Sequence, residues 1–342
     1  MRDTISIEDF LIKRNFCSVI DVRSPAEYAK AHIPGAINIP LFSDEERALV
    51  GTKYVRESRY NAVIAGLDAV GPKLSSFVNT LQSVTAHKEV LVYCWRGGMR
   101  SKSMTWLFNL SGFKAKALVG GYKSYRRKAQ ESFESPFKLI VLGGMTGSGK
   151  TEMLQRLKAK GEQVVDLEGL ANHKGSAFGW IGQAKQPSTE FFENLLFEEL
   201  LKIDPQQPTW VEDESKSIGT VFVPQQFHQQ MSASKVISIE IPFDIRVKRL
   251  VVDYTNCNPD DLIQYVNRIS KRLGLDKAKL CVELINQKKF DEAVAISLAY
   301  YDKTYRYGLE NKTNKPLIVE LTEDADKNIE SLLTQKALLE NL

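Results

Sequence analysis

The sequence is poor in the residues that staple or chelate a fold. Its four cysteines, Cys17, Cys94, Cys257 and Cys281, lie far apart with no CxxC pair, and the chain holds only four histidines. That spacing excludes a disulfide framework and a zinc site, leaving each cysteine as core filler or as a reagent. No apolar stretch approaches the roughly 18 uninterrupted residues of a membrane span. The start, MRDTISIEDFL, alternates charged and apolar residues where a secretory leader is basic and then greasy, so a cytoplasmic protein is expected. Glycine (21) and proline (12) are too few in 342 residues for a collagenous or low-complexity chain. Charge of either sign is hardly in excess: 46 Lys and Arg against 42 Asp and Glu leave +4, too little to announce nucleic-acid binding. The surplus is local, however, because residues 235–315 hold 15 Lys and Arg against 11 Asp and Glu. What is present is a globular composition, 43% hydrophobic and 26% charged, at a length that suggests two cores.

Strand, loop and helix signals alternate along the chain. Residues 18–22 are a short β-branched run stopped by Arg23-Ser24-Pro25, and Pro25 opens a helix that His32-Ile33-Pro34-Gly35 ends before a strand at 36–39. Residues 41–88 read as mostly helical. Strands at 89–93 and 115–119 bracket a loop at 94–98 and a helix at 101–110, and a charged helix at 122–130 leads into Ser132-Phe133-Glu134-Ser135-Pro136. The domain boundary is placed there, giving domains 1–133 and 134–342. The second opens with a strand at 138–142, a glycine-rich loop and a helix at 152–158. Further strands are expected at 163–166, 209–211 and 235–239, and the pattern is helical from Asp244 onward. Such alternation predicts an α/β protein with a parallel sheet in each half and a helical C-terminal part.

Chemistry is written in two places. Gly144-Met145-Thr146-Gly147-Ser148-Gly149-Lys150-Thr151 fits the P-loop pattern G-x-x-x-x-G-K-[ST] and lies between a strand and a helix. Its glycines let backbone N–H groups curl around an oxyanion, Lys150 neutralises non-bridging oxygens, and Thr151 can hold Mg²⁺. The expected guest is a diphosphate or triphosphate. Asp166, Glu168, Glu212, Asp213 and Glu214 are supporting acids at strand ends, with Asp213 taken as the metal ligand beside Thr151. Which acid serves stays open, and a solvated loop is the alternative reading of residues 212–214. The second place is Cys94-Trp95-Arg96-Gly97-Gly98-Met99-Arg100-Ser101. A cysteine at a strand's end, in a loop that winds into a helix between Arg96 and Arg100, is set in a field that favours thiolate, hence a nucleophile. The spacing from Cys94 to Arg100 is also the C-x5-R of cysteine phosphatases, although Tyr93 stands where those enzymes usually have histidine. The other three cysteines are expected to fill cores.

These residues carry a resemblance. Val19-Ile20-Asp21-Val22-Arg23 with Glu27-Tyr28, residues 32–40 reading HIPGAINIP, Cys94 in its loop and Gly120-Gly121-Tyr122 resemble a rhodanese domain over residues 5–130. A rhodanese joined to a P-loop domain that reads Asp166-Leu167-Glu168-Gly169-Leu170-Ala171, His173, Gly175-Ser176-Ala177-Phe178-Gly179 and Glu212-Asp213-Glu214-Ser215 resembles the tRNA 2-selenouridine synthase family, over essentially the whole chain. Trp95 is a departure, since some members have a small residue there. The resemblance implies a rhodanese-like domain and a P-loop NTPase-like domain. It further implies exchange of sulfur for selenium at 2-thiouridine of the tRNA wobble position, with selenophosphate as donor and S-geranyl-2-thiouridine, made from geranyl diphosphate, as intermediate. On that reading Cys94 carries selenium, with Arg96, Gly97, Gly98, Arg100 and Ser101 completing its loop, and residues 144–151 with Mg²⁺ grip the departing diphosphate without need of ATP.

For tRNA the candidates are Arg246, Lys248, Arg249, Arg268, Lys271 and Arg272, together with Tyr300, Tyr301, Tyr305, Arg306 and Tyr307. Arginines pair with phosphates and a tyrosine stacks on an extruded base. Solvated helix faces and core edges are the plain alternatives. Phe191, Phe192, Leu195, Leu196 and Leu200 have the spacing of a helix core, which is preferred to a prenyl pocket. Two other functions stay in view: a sulfurtransferase fused to an ATP-dependent small-molecule kinase, and a nucleotide-regulated binding module whose cysteine loop holds an anion.

Overall fold

The computed structural model describes residues 3–175, 179, 182–255, 258–310, 315–322 and 324–340, with backbone alone at 253–255, 304, 306–310 and 340. Two compact units emerge: Met1–Ser132 with Glu193–Glu198, and Phe133–Phe192 with Glu199–Leu342. Both are α/β, and among the described residues no helix is long and apolar enough to cross a membrane.

In the first unit the elements run β1 (Thr4–Ile5), α1 (Ile7–Lys13), β2 (Ser18–Asp21), α2 (Pro25–Lys30) and β3 (Ile37–Asn38). Three helices follow, α3 (Asp44–Arg56), α4 (Arg59–Val70) and α5 (Leu74–Val84), then β4 (Glu89–Tyr93), α6 (Met99–Leu110), β5 (Lys114–Leu118) and α7 (Gly121–Ser132). The strands form one parallel sheet in the order β1-β5-β4-β2-β3. Because β4 is central, Val90, Leu91, Val92 and Tyr93 are all buried, as a near-continuous apolar run in a parallel sheet requires. Ser24 caps α2 in a capping box with Glu27, and Pro25 sits at its first position, so the break in the chain after β2 is fixed locally. Helix α6 begins at Met99, two residues before the sequence reading, with Gly98 as its N-cap.

The second unit starts with β6 (Leu139–Gly144), α8 (Lys150–Ala159), β7 (Gln163–Val165), α9 (Leu167–Ala171) and α10 (Thr189–Leu200), whose middle belongs to the first unit. Next come β8 (Thr209–Glu212), the antiparallel pair β9 (Ser217–Ile218) and β10 (Val221–Phe222), α11 (Gln225–Ala233) and β11 (Lys235–Glu240). The chain finishes with α12 (Phe243–Thr255), α13 (Pro259–Leu273), α14 (Leu275–Asn286), α15 (Phe290–Glu310), β12 (Leu317–Glu320) and α16 (Ala325–Glu340). Its five-stranded sheet, β12-β11-β6-β8-β7, is parallel throughout. Helix α13 turns Leu262, Tyr265, Val266, Ile269 and Leu273 into an apolar cluster shared with α14 and α15, which gives the helical part its own core. Of the five α10 residues read as helix core, Phe192, Leu196 and Leu200 are buried, whereas Phe191 and Leu195 are only partly so. Cys281 is fully buried in the helical core, whereas Cys17, expected to be core filler, is partly exposed beside Glu89. Cys257 lies outside the described residues.

Candidate functional site

Cys94 directly follows the central strand β4 of the first unit, and the chain then turns through residues 95–98 into α6. The turn is closed by glycines. A Cβ on Gly97 would come within 2.5 Å of the Leu118 carbonyl oxygen, and one on Gly121 within 2.2 Å of the Cys94 carbonyl oxygen, both backbone atoms that cannot step aside. Both residues also have positive φ, 65° and 59°. The close approach lets the first amides of α7 serve the cysteine loop: Tyr122 N–H donates to the Cys94 carbonyl at 2.8 Å and Lys123 N–H to that of Trp95 at 3.0 Å. Among the described residues, none of the backbone N–H groups from Trp95 to Ser101 donates to a backbone carbonyl. A run of free amides at a helix start is the local chemistry of an anion cradle.

The sulfur itself is enclosed. Cys94 is 3% exposed and packs in the apolar cluster with Val92, Met104 and Phe108, and the Ser101 hydroxyl lies 3.2 Å from Sγ. Of the two cations expected around it, Arg100 is committed elsewhere: its guanidinium donates to Glu27 at 2.7 Å, in the same carboxylate that completes the α2 capping box. Burial pushes the Glu27 carboxyl up, but the hydrogen bond and charge of Arg100 outweigh it and hold the group below its ordinary value. Arg96 is exposed. Behind the loop, buried Arg23 pairs with Asp21 and lies 4.1 Å from the Tyr122 ring centroid, and Trp95 packs on Tyr122 at 5.6 Å. Tyr93, in the phosphatase histidine position, is buried and accepts from Ile33 N–H at 3.1 Å, which ties residues 32–35 to the sheet.

Gly121→Ala is expected to destabilise the first unit by about 3 kcal/mol, from a strained left-handed alanine and a backbone clash. Gly98→Ala, with nothing within 4 Å of the new Cβ, is the matched control. Thermal unfolding checks this, and equal midpoints for the two variants would contradict the packing described.

In the second unit β6 runs straight into residues 145–149 and α8. Among the described residues, Ser148 alone of the amides from Met145 to Thr151 has a backbone acceptor, the Met145 carbonyl at 3.0 Å. Lys150 lies across the loop, its Nζ donating to the Gly144 carbonyl at 2.9 Å, and the buried Ser148 hydroxyl has no partner. The loop therefore offers amides, an ammonium and a hydroxyl to an oxyanion.

The acids divide by position. Asp166 caps α9 by accepting from Gly169 N–H at 2.7 Å. Thr151 donates its hydroxyl to Glu168 at 3.1 Å, whereas the Asp213 carboxylate lies 3.4 Å from the Tyr305 hydroxyl. Glu212 is fully buried in the sheet, so the solvated-loop alternative does not hold for it. Its Oε2 accepts from Leu167 N–H at 2.8 Å and its Oε1 has no partner. Burial, with the charges of Asp166 and Glu168 added, pushes its carboxyl well above the usual range. Glu214 is likewise raised to about 8, by burial and by the charge of Glu168. Both shifts disfavour the charged form of the carboxylate, through burial and through neighbouring acids. His173 is buried with Nδ1 unpartnered, and burial lowers its pKa. Residues 176–178, part of the motif quoted above, lie outside the described residues.

The family models follow this division of the chain. One described as the tRNA 2-selenouridine synthase AAA domain matches residues 137–337, and one for a rhodanese-like domain matches residues 8–128. The chain belongs to the tRNA 2-selenouridine synthase family. A protein named tRNA 2-selenouridine synthase from Sulfurovum sp. (strain NBC37-1) is 34% identical over 339 residues, 89% of this chain and 92% of the relative. One of the same name from Shewanella frigidimarina (strain NCIMB 400) is 34% identical over 337 residues, covering 87% and 90%. A third, from Bdellovibrio bacteriovorus (strain ATCC 15356 / DSM 50701 / NCIMB 9529 / HD100), is 42% identical over 247 residues, covering 69% and 64%.

In this member of the synthase family the expected tRNA-facing residues scatter. Arg268, Lys271 and Arg272 are exposed on α13, and Lys248 is exposed on α12. Arg246 requires correction: it is 3% exposed, paired with Asp302 at 2.6 Å, and donates to the Thr146 carbonyl of the P-loop at 3.2 Å, so it is a strut and not a surface contact. Arg249 also turns to the P-loop, donating to the Ser148 carbonyl at 3.3 Å. Tyr301 is partly buried, its hydroxyl 2.5 Å from that of Tyr265. Tyr305 accepts from Gly144 N–H at 2.7 Å, which makes it a P-loop residue. The side chains of Arg306 and Tyr307 lie outside the described residues.

Proposed function

We propose that this chain makes 2-selenouridine from 2-thiouridine at the tRNA wobble position in two steps, alkylation by geranyl diphosphate and then exchange with selenium from selenophosphate. The observation that supports it is the pairing, in one chain, of two cradles of free amides with different reagents, a cysteine sulfur in one and a lysine ammonium in the other. A thiocarbonyl sulfur is a poor leaving group, whereas an S-alkylated one departs as a thiol. In the first step the thiouridine sulfur bonds to C1 of geranyl diphosphate, the C–O bond breaks, and diphosphate leaves with the electron pair while the base loses its N3 proton. Lys150 and the loop amides stabilise the charge that grows on the leaving oxygens. In the second, water hydrolyses selenophosphate to phosphate and selenide, and the selenide attacks Cys94 Sγ held as a mixed disulfide, expelling the thiol and leaving S–SeH, whose selenium bonds to C2 as geranylthiol departs. A thiol then splits the S–Se bond at sulfur, leaving selenium on C2 and restoring the Cys94 mixed disulfide for the next selenide, so the cycle has no net redox change. Ser101 positions the sulfur, and the exposed arginines and lysine of α13 provide phosphate contacts for tRNA.

Among the described residues no group of three His, Cys, Asp or Glu side chains is placed to hold a metal ion. Mg²⁺, which takes few protein oxygens and shares phosphate oxygens and water, still fits the hard donors here. Thr151 Oγ1 and Glu168, hydrogen-bonded to each other, would hold it, with the unpartnered Glu212 Oε1 behind them. When bound, the ion adds positive charge against the diphosphate.

The experiment is mass spectrometry of 2-thiouridine-containing tRNA incubated with the protein and geranyl diphosphate, with and without selenophosphate and thiol. A geranyl mass gain without selenophosphate and sulfur-to-selenium exchange with it are expected. An ATP requirement for any mass change would favour the kinase reading instead.

A further inference from the structure

Helix α12 turns two arginines, Arg246 and Arg249, onto the P-loop from one face, three residues apart. Their charges are treated differently. Arg246 is buried and its guanidinium forks onto both Asp302 oxygens at 2.8 and 2.6 Å, so its charge is compensated on the spot. Asp302 lies on α15, the helix whose Tyr305 hydroxyl accepts from Gly144 N–H, the first residue of the loop. Two helices of the C-terminal part are therefore fastened to the loop by buried polar contacts, and that fastening sets where Arg249 stands. Arg249 is partly buried, and among the described residues no carboxylate lies within ion-pair distance of it; its guanidinium donates to the Ser148 carbonyl at 3.3 Å. It stands against the turn where α8 begins: a Cβ on Gly149 would be 2.4 Å from Arg249 Nη1. A half-desolvated cation without a counter-charge is costly, and it sits beside amides that also lack acceptors. One dianionic phosphate group satisfies all of them, and a planar guanidinium suits it by donating two parallel hydrogen bonds.

We propose that Arg249 is a diphosphate-binding residue of the alkylation site, a second cation that acts with Lys150 on the leaving group. The Arg246–Asp302 pair positions it. This rests on the reading that the P-loop takes geranyl diphosphate. Arg249 thereby leaves the tRNA surface, and Gly149 is required so that the guanidinium can approach the loop.

Calorimetric titration of inorganic pyrophosphate, without tRNA, into the full-length native protein and the Arg249→Ala, Arg249→Lys and Lys150→Ala variants tests the assignment. Arg249→Ala is expected to weaken pyrophosphate binding about 10- to 100-fold, the range for a lost hydrogen bond between charged groups. Arg249→Lys should recover part of it. Added guanidinium should restore binding to the alanine variant, which it would not do for a role in packing alone. Affinity for tRNA should be unchanged. Native pyrophosphate affinity in Arg249→Ala, with binding still dependent on Lys150, would overturn this proposal alone, as would a selective loss of tRNA affinity. No pyrophosphate binding by the native protein would overturn the P-loop reading and this proposal with it.

Discussion

Cys94→Ser is expected to abolish selenium incorporation, by about 10³-fold or more, while leaving geranylation of 2-thiouridine at its native rate. Oxygen replaces sulfur in a buried position 3.2 Å from the Ser101 hydroxyl, so the fold changes little and the serine keeps a hydrogen-bond partner. What is lost is the soft nucleophile, since an alcohol bonds selenium poorly and stays protonated at neutral pH. The enclosure of Cys94 fits this role. A carrier that holds selenium away from bulk solvent would keep it from oxygen until the alkylated tRNA arrives. Nucleoside analysis after incubation with geranyl diphosphate and selenophosphate should show S-geranyl-2-thiouridine accumulating in the variant. Selenouridine at the native level would remove Cys94 from the mechanism.

Lys150→Ala is expected to cost about 10²- to 10³-fold in alkylation, whether or not ATP is present, because it removes a cation aimed at charge that develops on the leaving group. Lys150 Nζ donates to the Gly144 carbonyl at 2.9 Å, over the loop, so little rearrangement separates that position from a diphosphate oxygen. Lys150→Arg should not restore the rate, because a broad guanidinium does not fit where a compact ammonium bridges loop and phosphate. The check is the single-turnover rate of geranyl transfer at saturating geranyl diphosphate, and a native rate in Lys150→Ala would contradict the assignment.

Both cradles were legible in the sequence because each is written in consecutive residues, 94–101 and 144–151, at a strand-to-helix junction. The layered parallel sheets were legible for a related reason, since buried parallel strands are continuous apolar runs. What escaped depends on partners distant in sequence. Arg246 and Arg249 look like a solvated helix face because basic residues three apart usually are one, yet Asp302 is 56 residues away and Thr146 is 100. Arg100 similarly reads as a cation for the sulfur until Glu27, 73 residues earlier, claims it. The burial of Glu212, which pushes its carboxyl up, follows from β8 lying between β6 and β7, a matter of strand order that no local pattern encodes.

The central claim is a division of labour, with alkylation depending on the P-loop and selenium delivery on the Cys94 loop. The direct measurement gives Lys150→Ala a tRNA already carrying S-geranyl-2-thiouridine, with selenophosphate and thiol, and follows 2-selenouridine by mass spectrometry. Conversion at close to the native rate is predicted, since the step that needs Lys150 has been done in advance. A variant that leaves the alkylated tRNA unconverted would contradict the account.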